Sequence, residues 1–335
     1  MRFDKGKLEI GSVPIRYSCF SHPLDETFFV SDSGSAIKLP SGNKTYFYGH
    51  AGSTHKDEAI KRSAYEVLER MLAYGPCFPK SILELDFFGK PLFKPDGDKK
   101  IFDASQVLLS RGSKCVSASG LGFHTVKELA IEHAVYETME RDILCRIWYQ
   151  DLSVFQFKNE ELKDGYFIDY YALSHENIPF VLAVIKSKKT DIMYCGSKAS
   201  SSWKLSIMKA REEALVLITD LLCRNRDSLN GNKESTINRL NTLAGASAKK
   251  MLNHLDSKLV SAPNYNFAPN MVFPFKSVIQ NYMNDINSLY IIEIRRWLDK
   301  YYIYRASSKE FLSKPLARQL ESNHHADSIV TDPFC

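Results

Sequence analysis

Helical periodicity marks three stretches of the chain. Between Asp57 and Tyr74 the apolar residues recur at the i, i+4, i+7 and i+8 spacing of one buried helix face, and Gly-Pro ends the helix. A second helix is predicted from the capping pattern at Thr125 as far as Trp148. A third is predicted from Trp203 to Cys223. These three segments are the predicted helical part of the fold.

Aromatic and β-branched residues, punctuated by turn signals, mark the predicted strands. The segments with this pattern are the residues up to about Tyr48, then Tyr166–Leu173 and Ile178–Lys186 as sheet neighbours, then Leu289–Ile294 and Tyr301–Ala306. Residues 81–110 predict only short irregular elements. Because helices and strands do not follow the short βαβ rhythm of a doubly wound sheet, the pattern predicts an α+β fold.

Composition narrows the class of protein. Of 335 residues, 44% are hydrophobic and 25% charged, and a net charge of +5 is small for a nucleic-acid-binding protein. The longest apolar run, IPFVLAVI at 178–185, is less than half a membrane span, and the amino terminus is charged where a signal peptide is apolar. Seven scattered cysteines without CxxC spacing favour reduced thiols. We therefore predict a cytoplasmic protein that binds neither nucleic acid nor membranes.

One motif occurs twice. The first helix carries YEVLER at 65–70, and the second carries YETMER at 136–141. Residues three apart on a helix are separated by about 60°, so each copy projects two glutamates from one edge, beside an arginine. Taken alone, each copy is typical of an ordinary solvated helix face.

The repetition suggests a second interpretation, in which the two acidic edges pack together. Two unit charges about 4 Å apart repel by about 4 kcal/mol at an effective dielectric near 20, so converging carboxylates require a cation. Hard oxygen ligands, without a zinc-type cluster beside them, favour Mg²⁺ with phosphate oxygens as further ligands. The candidate ligands are Glu66, Glu69, Glu137 and Glu140.

Small residues precede the second helix, in SASGLGFH at 117–124. This segment predicts a loop that leads into a helix N-terminus, where free backbone N–H groups bind anions. It has neither a Walker motif nor the third glycine of a dinucleotide fingerprint, and a plain tight turn would also explain it.

Loop and helices together resemble the YcaO family, in which a small-residue loop leads into a helix with ExxER and an earlier helix carries its own ExxER. The likeness continues with the Ile-Pro strand at 178, a Gly-Ser turn at 196–197 and the helix segment IMKAREEALVLI, and covers about Gly49 to Leu222. It implies a single YcaO-like α+β domain over 1–335, with mixed or antiparallel sheets and with paired glutamates around an ATP and Mg²⁺ site. Its parts would be a strand and loop region at 1–50, an ATP-binding core at 51–222, and a C-terminal part with a tail at 223–335.

The resemblance also implies roles for single residues. Magnesium binding would fall to the four glutamates of the repeated motif. Nucleotide binding is implied for Ser63, Arg70, Ser119, Gly120 and Glu213. Catalytic roles are implied for Arg141 and for Cys335, since family members often place a proline-containing carboxyl terminus in the active site. A frayed end is the alternative for that tail.

The activity implied is ATP-dependent cyclodehydration of a ribosomally made precursor peptide. A Cys, Ser or Thr side chain attacks the preceding carbonyl, the oxyanion is phosphorylated, and phosphate leaves to give a thiazoline or oxazoline. The AGST before the first helix and the FH after the glycines resemble the YcaO subunit of microcin B-type synthetases. This implies a separate leader-peptide-binding or ubiquitin-activating-enzyme-like subunit and a flavin-dependent dehydrogenase as partners.

Three alternatives stay open. Another YcaO activity, thioamide or amidine formation, would use the same ATP site with a different nucleophile. A non-catalytic scaffold is suggested because Val216 and Ile218 stand where the family has polar residues, and because Ala51-Gly52-Ser53 replaces an expected Gly-Lys-Gly. Apart from the resemblance, four carboxylates could hold two metals for phosphodiester hydrolysis.

Overall fold

The computed structural model describes residues 3–78, 86–94, 96–109, 118–150, 152–175, 177–224, 245–262 and 270–311. The chain divides into two compact units. The first unit consists of Met1–Phe20, Phe28–Met139 and Met283–Phe311, and the second of Ser21–Thr27, Glu140–Tyr282 and Leu312–Cys335.

The described residues form strands and helices in an α+β arrangement, as predicted. The strands are β1 (Asp4–Ile10), β2 (Val13–His22), β3 (Asp25–Lys38), β4 (Lys44–Ser53), β5 (Phe87–Pro91), β6 (Lys100–Phe102), β7 (Leu121–His124), β8 (Val154–Glu161), β9 (Tyr166–Leu173), β10 (Phe180–Ser187), β11 (Tyr194–Ala199), β12 (Tyr290–Trp297) and β13 (Tyr301–Ser307). The helices are α1 (Lys56–Ala73), α2 (Ala104–Val107), α3 (Lys127–Tyr149), α4 (Trp203–Arg224), α5 (Gly245–Asp256) and α6 (Phe275–Tyr282).

The first unit contains two antiparallel sheets. One has the strand order β1-β2-β3-β4, and the other has the order β6-β5-β12-β13-β7. Helix α1 packs on β4 through its apolar stripe, and Val67 and Leu68 are fully buried in a core shared with Ile292 and Ile303. Burial of these side chains holds the helix against the sheet.

The second unit contains one antiparallel sheet in the order β11-β10-β9-β8, with α4 packed on β10 and β11. Nearly all of β9 and β10 is buried, which explains why the run IPFVLAVI is apolar at every position rather than alternating. The predicted pairing of Tyr166–Leu173 with Ile178–Lys186 is confirmed, since Ala183 lies opposite Tyr170.

The three predicted helices are confirmed, with α3 beginning at Lys127 rather than next to Thr125. The predicted C-terminal strands are confirmed as the β12–β13 hairpin. The sequence did not predict α5, α6 or β8.

Two glycine-containing segments were wrongly predicted. Gly196-Ser197 lies inside β11 rather than in a turn. The segment before the second helix does not lead directly into a helix N-terminus, because β7 intervenes and pairs with β13. Leu121 and Phe123 are buried there, so burial of their side chains makes this stretch a strand.

Candidate functional site

The acidic edge of α1 lies against β4. Glu66 accepts a hydrogen bond from the backbone N–H of His50 at 2.6 Å through Oε2 and pairs with Arg70 through Oε1. This contact is possible because Gly49 has no side chain. A Cβ at that position would overlap the helix backbone at Ser63 and keep the strand away from the helix. Glu66 is therefore fixed by one backbone donor and one cation.

Glu69 lies one turn further along α1 and has a strongly perturbed carboxyl group. Burial, followed by the negative charges of Glu66 and Glu137, raises the pKa of Glu69 to about 8. The positive charges of Arg70 and Arg305 act in the opposite direction. The negative charges of two neighbouring carboxylates thus disfavour the ionised form of Glu69, and a divalent cation would favour it.

These carboxylates do not form a complete coordination shell. Within the described ranges, no three His, Cys, Asp or Glu side chains stand together as the ligands of one metal ion. Their chemistry nevertheless fits Mg²⁺, which binds oxygen ligands and is usually held by one or two carboxylates together with waters and substrate phosphates. The assignment of these carboxylates to a magnesium ion stays a prediction.

The turn at Ser119 and Gly120 is held between β13 and α3. Gly120 has a φ of +80°, and a Cβ there would meet the Ala306 carbonyl oxygen at 3.0 Å as well as the Thr138 hydroxyl. The Ala306 N–H donates to the Gly120 carbonyl at 3.0 Å. Glycine is therefore required at this position.

Arg305, on β13, is a candidate that the sequence did not reveal. It is only 6% exposed, and its guanidinium donates to the carbonyl oxygens of Val107 at 2.7 Å and Ser119 at 2.9 Å. Burial lowers the pKa of Arg305 to about 10, while the negative charge of Glu69 opposes that shift. A signal was present in the strand sequence YYIYRAS, because an arginine is buried among apolar residues only where partners compensate for its charge.

Ser63, predicted to bind nucleotide, is fully buried between α1 and β3. Its hydroxyl lies 2.7 Å from the Ser33 hydroxyl and 2.9 Å from the Ser31 hydroxyl, and 3.0 Å from the Ile60 carbonyl oxygen. This network ties the helix to the strand. A role for Ser63 in nucleotide binding stays a prediction.

In the second unit, Glu140 is 1% exposed and faces β11. Its carboxylate accepts hydrogen bonds from the Ser197 hydroxyl at 3.0 Å and from the Ala199 N–H at 3.3 Å. The Lys198 ammonium lies 3.4 Å away and compensates for the negative charge. Glu140 is thus anchored to the strand by three donors.

Glu213, on α4, makes a similar contact with β11. Its Oε2 accepts the Ser197 N–H at 2.8 Å, and its Oε1 lies 3.8 Å from the Arg141 guanidinium. The second unit therefore brings Glu140, Arg141 and Glu213 together. Of the other predicted residues, Cys335 lies outside the described residues. The cysteines at 19, 77, 145 and 195 are reduced thiols, as predicted.

Comparison with known proteins identifies the domain. The family model described as YcaO cyclodehydratase, ATP- and Mg²⁺-binding, matches residues 107–272. The match places this part of the chain, just under half of its length, in the YcaO family. ATP and Mg²⁺ are therefore its cofactors, as predicted, and YcaO proteins are ATP-dependent enzymes.

Several solved structures share this YcaO fold. YcaO from Methanopyrus kandleri bound with AMPPCP and Mg²⁺ has a TM-score of 0.58 and 14% identity, and the match covers 91% of this chain and 84% of that one. A chain of the E. coli microcin synthetase McbBCD complex has a TM-score of 0.59 and 13% identity, covering 92% and 88%. A chain of the same complex with pro-MccB17 bound has a TM-score of 0.60 and 13% identity, and the match covers 83% of this chain and 88% of that one. A search of curated protein sequences finds no match.

The sequence predicts no membrane-spanning segment. In the part of this YcaO chain that the structure describes, no helix is both long enough and apolar enough to cross a bilayer.

Proposed function

We propose that this YcaO protein is the cyclodehydratase subunit of a peptide-modifying complex, which forms thiazolines or oxazolines from Cys, Ser or Thr of a ribosomally made precursor peptide. The observation that carries the proposal is the set of mutually repelling carboxyl groups around Glu69, in a family that binds ATP and Mg²⁺. Likeness to the fold of a microcin synthetase chain, solved also with pro-MccB17 bound, supports a peptide substrate.

In this proposal, residues of the first unit would bind Mg²⁺ and ATP. When bound, ATP would supply the phosphoryl group that makes the peptide carbonyl oxygen a leaving phosphate, and Mg²⁺ would offset the negative charge. Glu66, Glu69 and Glu137 would hold the ion, and Arg70 would contact phosphate oxygens. Ser63, Ser119 and Gly120 would contribute to the nucleotide site.

The residues of the second unit, and the tail, complete the assignment as it follows from the family resemblance. Glu140 would be a fourth magnesium ligand, Glu213 a nucleotide contact and Arg141 a phosphate contact in the transition state. Cys335 would assist proton transfer at the peptide.

The proposed complex has further members. A separate leader-peptide-binding or ubiquitin-activating-enzyme-like subunit would present the precursor peptide, and a flavin-dependent dehydrogenase would oxidise the azolines to azoles. Similarity in fold to a chain of a multi-subunit synthetase supports this arrangement. The complex would work in the cytoplasm.

A non-catalytic scaffold is the second candidate function. It is favoured by the surroundings of Glu140, whose carboxylate is already neutralised by Lys198 and bonded to β11. A scaffold would bind the same partner subunits without consuming ATP.

The two functions are separated by Glu69→Gln, assayed with the partner subunits, a candidate precursor peptide and MgATP. The variant removes the ionisable carboxyl group and no core volume, so we expect it to fold while ATP consumption falls roughly 100-fold or more. Glu58→Gln is the matched control, because Glu58 is a half-exposed glutamate of the same helix that pairs locally with Arg62 at 2.8 Å. Its ATP turnover should equal that of the wild type.

The peptide product is read by mass spectrometry. Loss of one water per ring supports cyclodehydration, whereas replacement of oxygen by sulfur indicates thioamide formation. No modification and no ATP consumption by the wild-type complex would favour the scaffold, and equal turnover in Glu69→Gln and wild type would contradict the metal assignment.

A further inference from the structure

The side chain of Arg305 links three parts of the first unit that lie far apart in the sequence. From β13 it donates to the Val107 carbonyl, at the end of α2, and to the Ser119 carbonyl, in the turn before β7. Its charge also interacts with Glu69 on α1. None of these partners lies on its own strand.

Only an arginine can make this set of contacts from one position. The guanidinium carries five N–H donors in a fixed fork, so two of them can reach separate carbonyl oxygens while the charge stays beside a carboxylate. Lysine has one flexible ammonium group and cannot reproduce the fork. A guanidinium that is 6% exposed carries a desolvation cost, which these contacts offset.

The turn that Arg305 holds is the one to which nucleotide binding was assigned. Backbone contacts fix Gly120, because its carbonyl accepts the Ala306 N–H whatever side chain stands at 305. The Ser119 carbonyl, by contrast, is held by the Arg305 side chain itself at 2.9 Å. Loss of that side chain would release one residue of the turn while leaving β13 paired with β7.

We propose that Arg305 is a positioning residue for nucleotide binding, which fixes the Ser119–Gly120 turn through its hydrogen bond to the Ser119 carbonyl. The inference rests on the proposed function of this site. It assigns no chemical step to Arg305, which acts through the turn. Its loss should therefore weaken nucleotide binding more than it affects the peptide.

The test compares Arg305→Met and Arg305→Lys with Arg296→Met in the full chain. Arg296 is an exposed arginine on the adjacent strand β12, and its contacts with Asp299 and with the ring of Tyr302 lie within the β12–β13 hairpin. Titration with Mg·AMPPCP should give a dissociation constant at least about tenfold higher for Arg305→Met, an intermediate value for Arg305→Lys, and the wild-type value for Arg296→Met.

A second readout separates positioning from a general loss of structure. In the assembled complex, the KM for ATP should rise in both Arg305 variants while the KM for the precursor peptide stays unchanged. A purely structural role would reduce the active fraction, and hence kcat, with both KM values retained. Wild-type nucleotide affinity in a folded Arg305 variant would overturn the proposal.

A third measurement needs no variant. Hydrogen exchange of the wild-type protein should show Mg·AMPPCP protecting the backbone amides of residues 118–124. Binding without protection there would overturn the role of the turn even if both Arg305 variants failed to fold. If the wild type does not bind Mg·AMPPCP at all, the proposed function fails, which is a different result from wild-type binding that is insensitive to Arg305.

Discussion

His22 illustrates how burial alone sets the chemistry of a single side chain. In the second unit its Nε2 donates to the Leu215 carbonyl at 3.0 Å, and its Nδ1 accepts the Leu24 N–H at 3.1 Å, so the neutral ring is fully used. Burial lowers the pKa of His22 from 6.5 to about 4, although the Leu215 hydrogen bond raises it. A proton on Nδ1 would face another donor.

Acid should therefore destabilise the protein through His22. Because the folded pKa lies below the unfolded one, this contribution is complete above about pH 6.5 and is lost as the pH falls toward about 4. Between about pH 7.5 and pH 5 the free energy of unfolding should fall by about 2 kcal/mol from this residue alone.

Urea denaturation at the two pH values, with His22→Gln and His175→Gln, checks this prediction. Glutamine at 22 keeps a donor for the Leu215 carbonyl and does not titrate, so most of the pH dependence should disappear. His175 is exposed, and its variant should retain the wild-type dependence. An unchanged slope in His22→Gln would refute the explanation.

Helix spacing could predict which glutamates of α1 share one edge but not which groups contact them. The repeated motif placed Glu66 and Glu69 on one edge of α1, and the structure brings Glu137 close enough to raise the pKa of Glu69. Arg305 could not be found in the same way, because its partners are backbone carbonyls 198 and 186 positions away. No periodicity encodes contacts at such separations.

At the scale of elements, three strand glycines each allow a helix backbone to pack closely against the strand. Added Cβ atoms at Gly49, Gly122 and Gly196 would each overlap a helix carbonyl and approach the amide four residues later. The helix residue three after that carbonyl is Glu66, His133 and Glu213, respectively. Relative to the strand glycine that its helix contacts, Glu66 therefore occupies the same position as Glu213, whereas His133 occupies that position on α3. The two copies of the repeated motif thus stand at different positions relative to the glycines of the strands they pack on.

This packing explains both the successful and the wrong predictions. The amphipathic helices α1, α3 and α4 were predictable because a 3.6-residue period survives in any tertiary context. β7 and β11 were misread because close helix packing demands glycine within the strand, and glycine is otherwise typical of turns. Small residues thus indicated contact with a helix and not a change of chain direction.

Alanine at position 49 should consequently disrupt the first unit. A Cβ there would overlap the Ser63 carbonyl and lie 2.9 Å from the Val67 nitrogen, both parts of the helix backbone. We expect Gly49→Ala to cost about 3 kcal/mol of unfolding free energy or more, because backbone must move.

Gly34→Ala is the matched control on the neighbouring strand. Its Cβ would lie 3.3 Å from the ring of Tyr48, an exposed side chain that can move aside. The change in unfolding free energy, measured by urea denaturation, should stay within about 1 kcal/mol. Equal stability of the two variants would contradict the packing role of Gly49.

At the scale of the whole molecule, neither unit is one continuous stretch of chain. The first unit takes β12 and β13 from Met283–Phe311, and α3 begins in the first unit and ends in the second. In the five-stranded sheet β12 and β13 stand between β5 and β7. Fold class was predictable from local patterns, but this strand order was not, since it joins segments separated by more than half of the chain.

Truncation should expose the dependence of the first unit on its last segment. A chain that ends at residue 282 lacks β12 and β13, so β7 loses its partner strand, β5 keeps only β6, and the core loses the fully buried Ile292 and Ile303. The loss of two buried isoleucines and two central strands should cost more free energy than the roughly 5–15 kcal/mol by which folded domains are stable. We therefore expect no cooperative unfolding transition.

A chain that ends at residue 311 provides the control, because it keeps every described strand. It should unfold cooperatively by calorimetry and bind Mg·AMPPCP, yet convert little precursor peptide if Cys335 assists proton transfer as proposed. Peptide conversion at the wild-type rate would remove Cys335 from the active site. Cooperative unfolding of the shorter chain would show instead that the first unit folds without its central strands, contrary to the pairing of β13 with β7 and of β12 with β5.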